Sequence, residues 1–266
     1  MNEQNQPPIA KSDLEKTQLT NSEKKPTTLA ELINSPKIKN QFAMALPKHM
    51  NPDRMARIVT TEIRKTPALA NSNIQSFLGA VVQCSQLGLE PGGALGHAYL
   101  LPFGNGKAAD GKSNVQLIIG YRGMIDLARR SGQIISISAR TVRDGDDFHY
   151  EYGLNEDLKH TPKADESAPI TYVYAVARLK DGGSQFEVMT FNQIESVRKQ
   201  SKAGDKGPWM THWEEMAKKT VIRRLFKYLP VSIEIQQAVV LDEKAEAGIS
   251  QDNEMILDAD FSVVEA

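Results

Sequence analysis

Apolar positions recur at helical spacing through the first third of the chain. A short amphipathic stretch begins at Leu29, and a second follows at 38–45. Asn51-Pro52 is typical of a helix start, because an N-cap side chain precedes a first-turn proline, and it predicts a helix through about Lys65. Ser72 predicts the start of a further helix.

The middle of the chain changes to short apolar runs bounded by turn residues, which is typical of strands. The runs predict three antiparallel hairpins, which are 98–103 with 115–119, 134–143 with 148–152, and 172–179 with 185–189. A helix is predicted at 121–130, and helices return at 191–201 and 209–229 before Pro230 ends the pattern. The predicted fold class is α+β, with helices flanking antiparallel β-hairpins packed around a central helix.

Composition and charge divide the chain into three parts. Residues 1–28 are polar and predict a flexible arm, and 29–230 predict a single core domain. Residues 231–266 hold nine acidic side chains and one basic one, which predicts an acidic, largely disordered tail. Its residues beyond about 240 are expected to be dispensable for binding nucleic acid but not for every contact with a partner. The rest of the chain holds 31 basic and 24 acidic side chains. A basic body with an acidic tail suggests a polyanionic ligand and a tail that interacts with the same surface.

Several classes of protein are disfavoured by the bulk sequence. No apolar run approaches the roughly 18 residues that span a bilayer, so no membrane association is expected. The polar N-terminus lacks the apolar core of an export signal. A lone cysteine, Cys84, excludes an internal disulfide framework and fits a reducing cytoplasm, where we expect the protein to be located.

Residues 106–113, GKAADGKS, match the phosphate-loop pattern of ATP- and GTP-binding proteins. Such a loop must lead from a strand into a helix, because amides at the helix N-terminus bind the phosphates. Here the loop leads into Val115–Ile119, which resembles a strand. We therefore interpret 106–113 as a hairpin loop and expect Lys112 to be unimportant for activity.

An acidic cluster surrounds the second predicted turn. It consists of Asp144, Asp146, Asp147 and Glu151, and such clusters hold magnesium in nucleases. No lysine or histidine stands at a recognisable catalytic spacing from it, and the five histidines are too scattered for a zinc site. We expect no catalytic residues and no metal site, although a role for magnesium and a nuclease activity remain alternatives.

The segment 209–229 interleaves basic and aromatic side chains, a pattern suited to single-stranded nucleic acid. One face of the predicted helix, away from its apolar arc, carries Lys219, Arg223 and Lys227. These like charges repel one another, and a bound polyanion would relieve the repulsion. Nearby glycines flank Tyr121-Arg122, where the backbone can approach a phosphate. The candidate DNA-binding residues are Tyr121, Arg122, Trp213, Lys219, Arg223, Arg224 and Lys227.

Long strings in this sequence resemble the RecT family of prophage-encoded single-strand-annealing recombinases. They are QCSQLGLEPGGALGHAYLLPFGN (83–105), NVQLIIGYRGMIDLARRSGQI (114–134), YAVARLKDGGSQFEVMT (174–190) and GPWMTHWEEMAKKTVIRRLFKYLPVSIEIQ (207–236). With HMNPDRMARIVTTEIRKTPAL (49–69), the resemblance spans about 29–241.

The resemblance implies a Rad-fifty-two-like annealing core and an ATP-independent protein that anneals complementary DNA strands in recombination. It also implies binding to single-stranded DNA and annealed duplex, a homo-oligomeric ring or filament, and a partner exonuclease of the RecE type. No cofactor is expected. A passive single-strand-coating protein is the second alternative, because it would bind the same DNA without pairing it.

Overall fold

The computed structural model describes residues 26, 28–48, 50–93, 95–104, 108, 110–163 and 165–253. Its helices are α1 (Leu29–Asn34), α2 (Pro36–Ala45), α3 (Pro52–Lys65), α4 (Ile74–Gln86), α5 (Tyr121–Arg130), α6 (Phe191–Gln200), α7 (Pro208–Thr211), α8 (Trp213–Leu225) and α9 (Ile233–Ala247). Its strands are β1 (Ala98–Phe103), β2 (Asn114–Ile119), β3 (Ile134–Arg143), β4 (Asp147–Glu151), β5 (Asp157–Thr161), β6 (Ile170–Leu179) and β7 (Ser184–Thr190). The predicted α+β class is confirmed. The arm predicted at 1–28 lies outside the described residues, apart from residues 26 and 28.

Local capping signals place the early helices. The Asn51 side chain accepts hydrogen bonds from the backbone N–H groups of Asp53 and Arg54, which confirms the predicted start of α3. The next helix begins at Ile74 with Asn73 as its N-cap, so the predicted start at Ser72 is wrong by two residues. Ser72 instead forms a β-bridge with Ser113, just before β2.

Two of the three predicted hairpins are confirmed. β1 pairs antiparallel with β2, so a strand does follow the GKAADGKS segment. β6 pairs antiparallel with β7 across the predicted turn, where Gly182 takes a φ of 91° that favours glycine.

The predicted hairpin between 134–143 and 148–152 is wrong. β3 pairs along its length with β6, in a sheet of order β3-β6-β7, while β4 pairs with β5. The aromatic residues of β4 pack against that sheet and do not belong to one of its strands. Phe148 packs on Tyr172 and Tyr174, with ring centroids 5.4 and 5.6 Å apart, so the β4–β5 hairpin covers one face of the larger sheet.

The main core lies on the opposite face of that sheet. Val173, Ala175 and Met189 of the sheet are buried with Val221 and Leu225 of α8. The same cluster continues through α4, α5 and β2 to α1 and α3, so most described elements share one core. The hairpin β4–β5 instead encloses a small second cluster around Val142, Tyr174 and Val188.

The expectation that ordered structure ends at Pro230 is wrong. Ser232 precedes α9, a helix of 15 residues that ends at Ala247 and is followed by Gly248 in the left-handed conformation. Ile235 and Ala238 are fully buried in the main core, and Asp242 is only 1% exposed. The acidic composition of this segment hid these apolar positions, because its carboxylates bind cations of the body instead of facing water. Residues 254–266 lie outside the described part.

The segment after α9 closes the open edge of β2. The Gln251 side chain accepts a hydrogen bond from the Leu117 N–H and donates one to the Leu117 carbonyl, both at 2.8 Å. The Asn253 amide donates to the Val115 carbonyl at 2.8 Å. Two side-chain amides therefore take the place of a neighbouring strand along β2.

We predict that a chain ending after Leu241 is strongly destabilised, because it loses Asp242 and the bonds to β2. Two buried cations then lack their partner, which costs at least about 3 kcal/mol and lowers Tm by about 6–12 °C. A chain ending after Asn253 keeps these contacts and is the matched control. Circular dichroism melting measures both, and equal Tm values for the two truncated chains would contradict the prediction.

Candidate nucleic-acid interface

The predicted cationic stripe of α8 is paired with α9. Lys219 Nζ lies 2.6 Å from Asp242 Oδ1, and Arg223 Nη1 lies 3.0 Å from Asp242 Oδ2 and bonds to Glu246. The Lys219 and Arg223 side chains are 12% and 10% exposed. Burial lowers the pKa of Arg223, but Glu246 and Asp242 outweigh it and the pKa is raised. These cations are held in their charged form within the protein.

Two further predicted cations also have intramolecular partners. Lys227 Nζ lies 3.2 Å from Glu243 Oε1, and Arg224 Nε lies 2.6 Å from Glu187 Oε1. The expectation that the cations of this stripe can be replaced without affecting the fold is therefore wrong. Like charges four residues apart did require counter-charges, as the sequence indicated, but carboxylates of α9 supply them.

Tyr121 and Arg122 lie at the start of α5, beside the first turns of α8. Arg122 is exposed, and its Nε lies 3.5 Å from the Tyr121 hydroxyl oxygen. Burial raises the pKa of Glu215, but hydrogen bonds from Lys218 and Tyr121 outweigh it, so the pKa is lowered. Glu215 thus connects the two helices on this surface.

The glycines that flank Tyr121-Arg122 serve the packing of α5. A Cβ at Gly120 would lie 2.1 Å from the Gly96 carbonyl oxygen, and one at Gly123 would lie 2.2 Å from the His97 carbonyl oxygen. The close backbone approach that the sequence suggested for a phosphate is therefore made by the chain's own segment 96–97.

Trp213 begins α8 and stacks on Phe191 at the start of α6. The ring centroids are 5.2 Å apart with an interplanar angle of 28°. The Trp213 indole N–H donates to Glu195 at 2.8 Å, which fixes the ring, while Phe191 remains 40% exposed. This pair therefore offers aromatic ring surface to solvent.

A groove of about 840 Å³ lies between β3, the 160–166 segment and the start of α8. Its cations are Arg140, Arg143, Lys163 and Lys218, and its carboxylates are Asp146, Asp165, Glu166 and Glu214. Arg143 pairs with Glu214 at 2.5 Å, and Lys218 pairs with Glu215 at 3.0 Å. Arg140 and Lys163 are exposed and have no carboxylate within 4 Å in the described part of the chain. The groove is balanced in formal charge, but these two cations are available to a ligand.

Asp146 is a structural acceptor at the floor of the groove. It accepts hydrogen bonds from the backbone N–H groups of Arg143 and Lys163, and it bonds to His160 Nε2 at 3.0 Å. These three bonds lower the pKa of Asp146 to about 2. Its oxygens therefore join β3 to the hairpin, and within the described residues no three potential metal ligands come together.

These features lie around the first turns of α8, and together we name them the α8 face. It consists of the Phe191–Trp213 stack, the groove with Arg140 and Lys163, and the Tyr121-Arg122 corner. Each of them is contacted from the first turns of α8: Trp213 belongs to the stack, Glu214 and Lys218 line the groove, and Glu215 bonds to Tyr121. Aromatic rings beside unpaired cations are the combination that single-stranded nucleic acid requires.

Sequence patterns did not single out Arg140, Lys163 and Phe191 as candidates. Arg140 of β3 and Lys163 of a loop line the same groove, whereas Phe191 at the start of α6 stacks on Trp213, and these neighbours are distant in the chain. The one available signal was the cationic side chain at an outward position of the predicted strand 134–143.

Comparison with known proteins gives a consistent result. The model of the RecT family matches residues 53–256. The chain is 64% identical over 262 residues to Protein RecT of Escherichia coli strain K12, which covers 98% of this chain and 97% of that protein. It is 27% identical over 228 residues to the uncharacterized protein YqaK of Bacillus subtilis strain 168, covering 85% of this chain and 76% of that protein.

None of the helices in the described ranges is long and apolar enough to cross a membrane.

We predict that Asp242→Ala and Glu243→Ala, one residue apart, differ sharply in stability. Asp242→Ala leaves Lys219 without a carboxylate and Arg223 with Glu246 alone, and it costs about 3–5 kcal/mol. Glu243→Ala removes only the exposed pair with Lys227 and costs about 0–1 kcal/mol. Urea unfolding of the two variants measures the difference, and similar midpoints would show that the Asp242 network contributes little.

Proposed function

Because the chain belongs to the RecT family, we propose that it binds single-stranded DNA as a homo-oligomer and anneals complementary strands without ATP. The family fits a role in recombination by strand annealing, and the 64% identity to Protein RecT over nearly the whole chain carries this proposal. A Rad-fifty-two-like core, an exonuclease partner of the RecE type and a cytoplasmic location are further parts of it.

The proposed DNA path follows the α8 face. Arg122, Arg140 and Lys163 contact phosphates, because they are exposed and have no ion-pair partner in the described residues. Phe191 and Trp213 offer ring surface to bases. Tyr121 supports Arg122 at one end of the path. Lys219, Arg223 and Lys227 are left out of this path because α9 already pairs with them.

Annealing needs no bond chemistry, so we propose that the protein is not an enzyme. Cations on the α8 face neutralise phosphate repulsion and release condensed counterions. Bases that stack on aromatic rings stay extended, and their pairing edges remain open to a second strand. An oligomer repeats this arrangement along the strand and aligns many bases at once.

We predict that the protein pairs complementary oligonucleotides without ATP and that Lys112→Ala anneals at nearly the wild-type rate. Strand β2 begins directly after Ser113, so the loop lacks the helix N-terminus that would bind nucleotide phosphates. Fluorescence energy transfer between labelled strands measures the rate, with a gel showing product length. Shortened products would favour a nuclease, and slower annealing than for free strands would favour a passive coating protein.

We predict that Arg140→Ala and Lys163→Ala each weaken binding to single-stranded DNA. Each lost phosphate contact reduces the magnitude of the salt slope by about 0.7, and the loss is similar for all base sequences. Lys227→Ala is the matched control, because its partner is Glu243 and it lies outside the path. Binding is measured by anisotropy at several salt concentrations. Unchanged slopes for Arg140→Ala and Lys163→Ala would remove the groove from the path.

A further inference from the structure

A second cavity of about 560 Å³ lies on the other side of α8 from the groove. Its walls come from the end of β1, from β2, from the 201–206 segment and from α7, α8 and α9. Leu101, Pro102, Ile118 and Met216 make much of the wall apolar. Its size is within the range of small-molecule sites, which is about 300–1,000 Å³.

Two residues that line this cavity each carry a buried polar atom with no hydrogen-bond partner among the described residues. One is the indole N–H of Trp209, a residue that is 1% exposed, and the other is Oε1 of Glu246, whose Oε2 bonds to Arg223. Both residues line the cavity. An unpartnered buried donor and acceptor are costly, and a ligand that accepts from one and donates to the other removes that cost.

The solvent side of the cavity carries positive charge. Lys202 and Lys206 are exposed, line the cavity and have no carboxylate within 4 Å in the described residues. Lys202 Nζ lies 4.0 Å from the centre of the Phe103 ring, and its backbone N–H donates to the Glu246 carbonyl at 3.1 Å. The ligand is therefore expected to have a negative group outside the cavity and a neutral, hydrogen-bonding part inside it.

We propose that this cavity binds one unpaired nucleobase of a bound strand, with its phosphate at Lys202 and Lys206. Every base carries donors and acceptors on its edge, as Glu246 Oε1 and Trp209 Nε1 require, and has an apolar face for the walls. The proposal rests on the proposed function, since it supplies the DNA strand. The site is separate from the α8 face: Met216 and Lys219 line the cavity, whereas Glu214 and Lys218 line the groove.

The chain offers a direct optical test, because it contains two tryptophans, Trp209 and Trp213. In full-length Trp213→Phe, fluorescence reports on Trp209 alone. We expect saturable quenching by deoxynucleoside monophosphates, at least about tenfold weaker binding of the nucleosides, and none of inorganic phosphate. Binding of phosphate equal to that of the nucleotides would reduce the site to a lysine–anion contact and overturn the proposal.

Two substitutions in the Trp213→Phe background complete the test. Lys206→Ala changes an exposed side chain. It should weaken the binding of nucleotides at least about threefold and leave the binding of nucleosides unchanged. Lys199→Ala, an exposed lysine of α6 that is not part of the cavity wall, is the matched control and should bind normally. No effect of Lys206→Ala on nucleotide binding would overturn the assignment.

Calorimetry of Trp209→Phe, which removes the indole N–H together with the five-membered ring that carries it, tests the hydrogen bond. We expect weaker binding of all four nucleotides by at least about threefold, and a lower Tm because the smaller ring leaves a void in the core. Unchanged affinity would overturn the role of the indole N–H. Absence of nucleotide binding at about 10 mM, with annealing intact, would reject this site while leaving the proposed function standing. Nucleotide binding without annealing would reject the proposed function while leaving this site standing.

Discussion

The C-terminal third of the structure depends on the ion pairs that Asp242 makes with Lys219 and Arg223. Its carboxylate is 1% exposed and bonds to Lys219 through one oxygen and to Arg223 through the other. A buried charge is tolerated only when it is paired and hydrogen-bonded, so α8 and α9 must meet in this one register. That register positions the wall of the second cavity and directs the chain after α9 towards β2.

Local signals in the sequence predicted the elements that depend on local chemistry. The Asn51 cap and the glycine turn at Gly182 act within a few residues, and both appear where expected. The partner of β3 was missed because pairing with β6 joins segments about 35 residues apart in the chain, and no local pattern encodes that choice. The helix α9 was missed because the acidic composition of the whole segment 231–266 was interpreted as a disordered tail, although the helix itself contains more apolar than charged residues.

The candidate site was recovered only in part, for the same reason. The sequence predicted three residues of the α8 face, which are Tyr121, Arg122 and Trp213. They could be predicted because aromatic and cationic side chains near predicted helix starts can be recognised in a sequence. Whether a cation is free or paired depends on segments distant in the chain. Arg223 and Arg140 are both arginines in regular elements, yet one is buried against α9 and the other is open to solvent.

The side-chain amides of Gln251 and Asn253 have a consequence for how copies of this chain meet. An open strand edge is a template for uncontrolled pairing with other chains, and the hazard grows with local concentration. Here the edge of β2 is blocked by carboxamides, which satisfy its backbone groups but offer no further edge for a neighbour to extend. Copies of this chain at high local concentration are thereby protected at β2 from aggregating through their sheets.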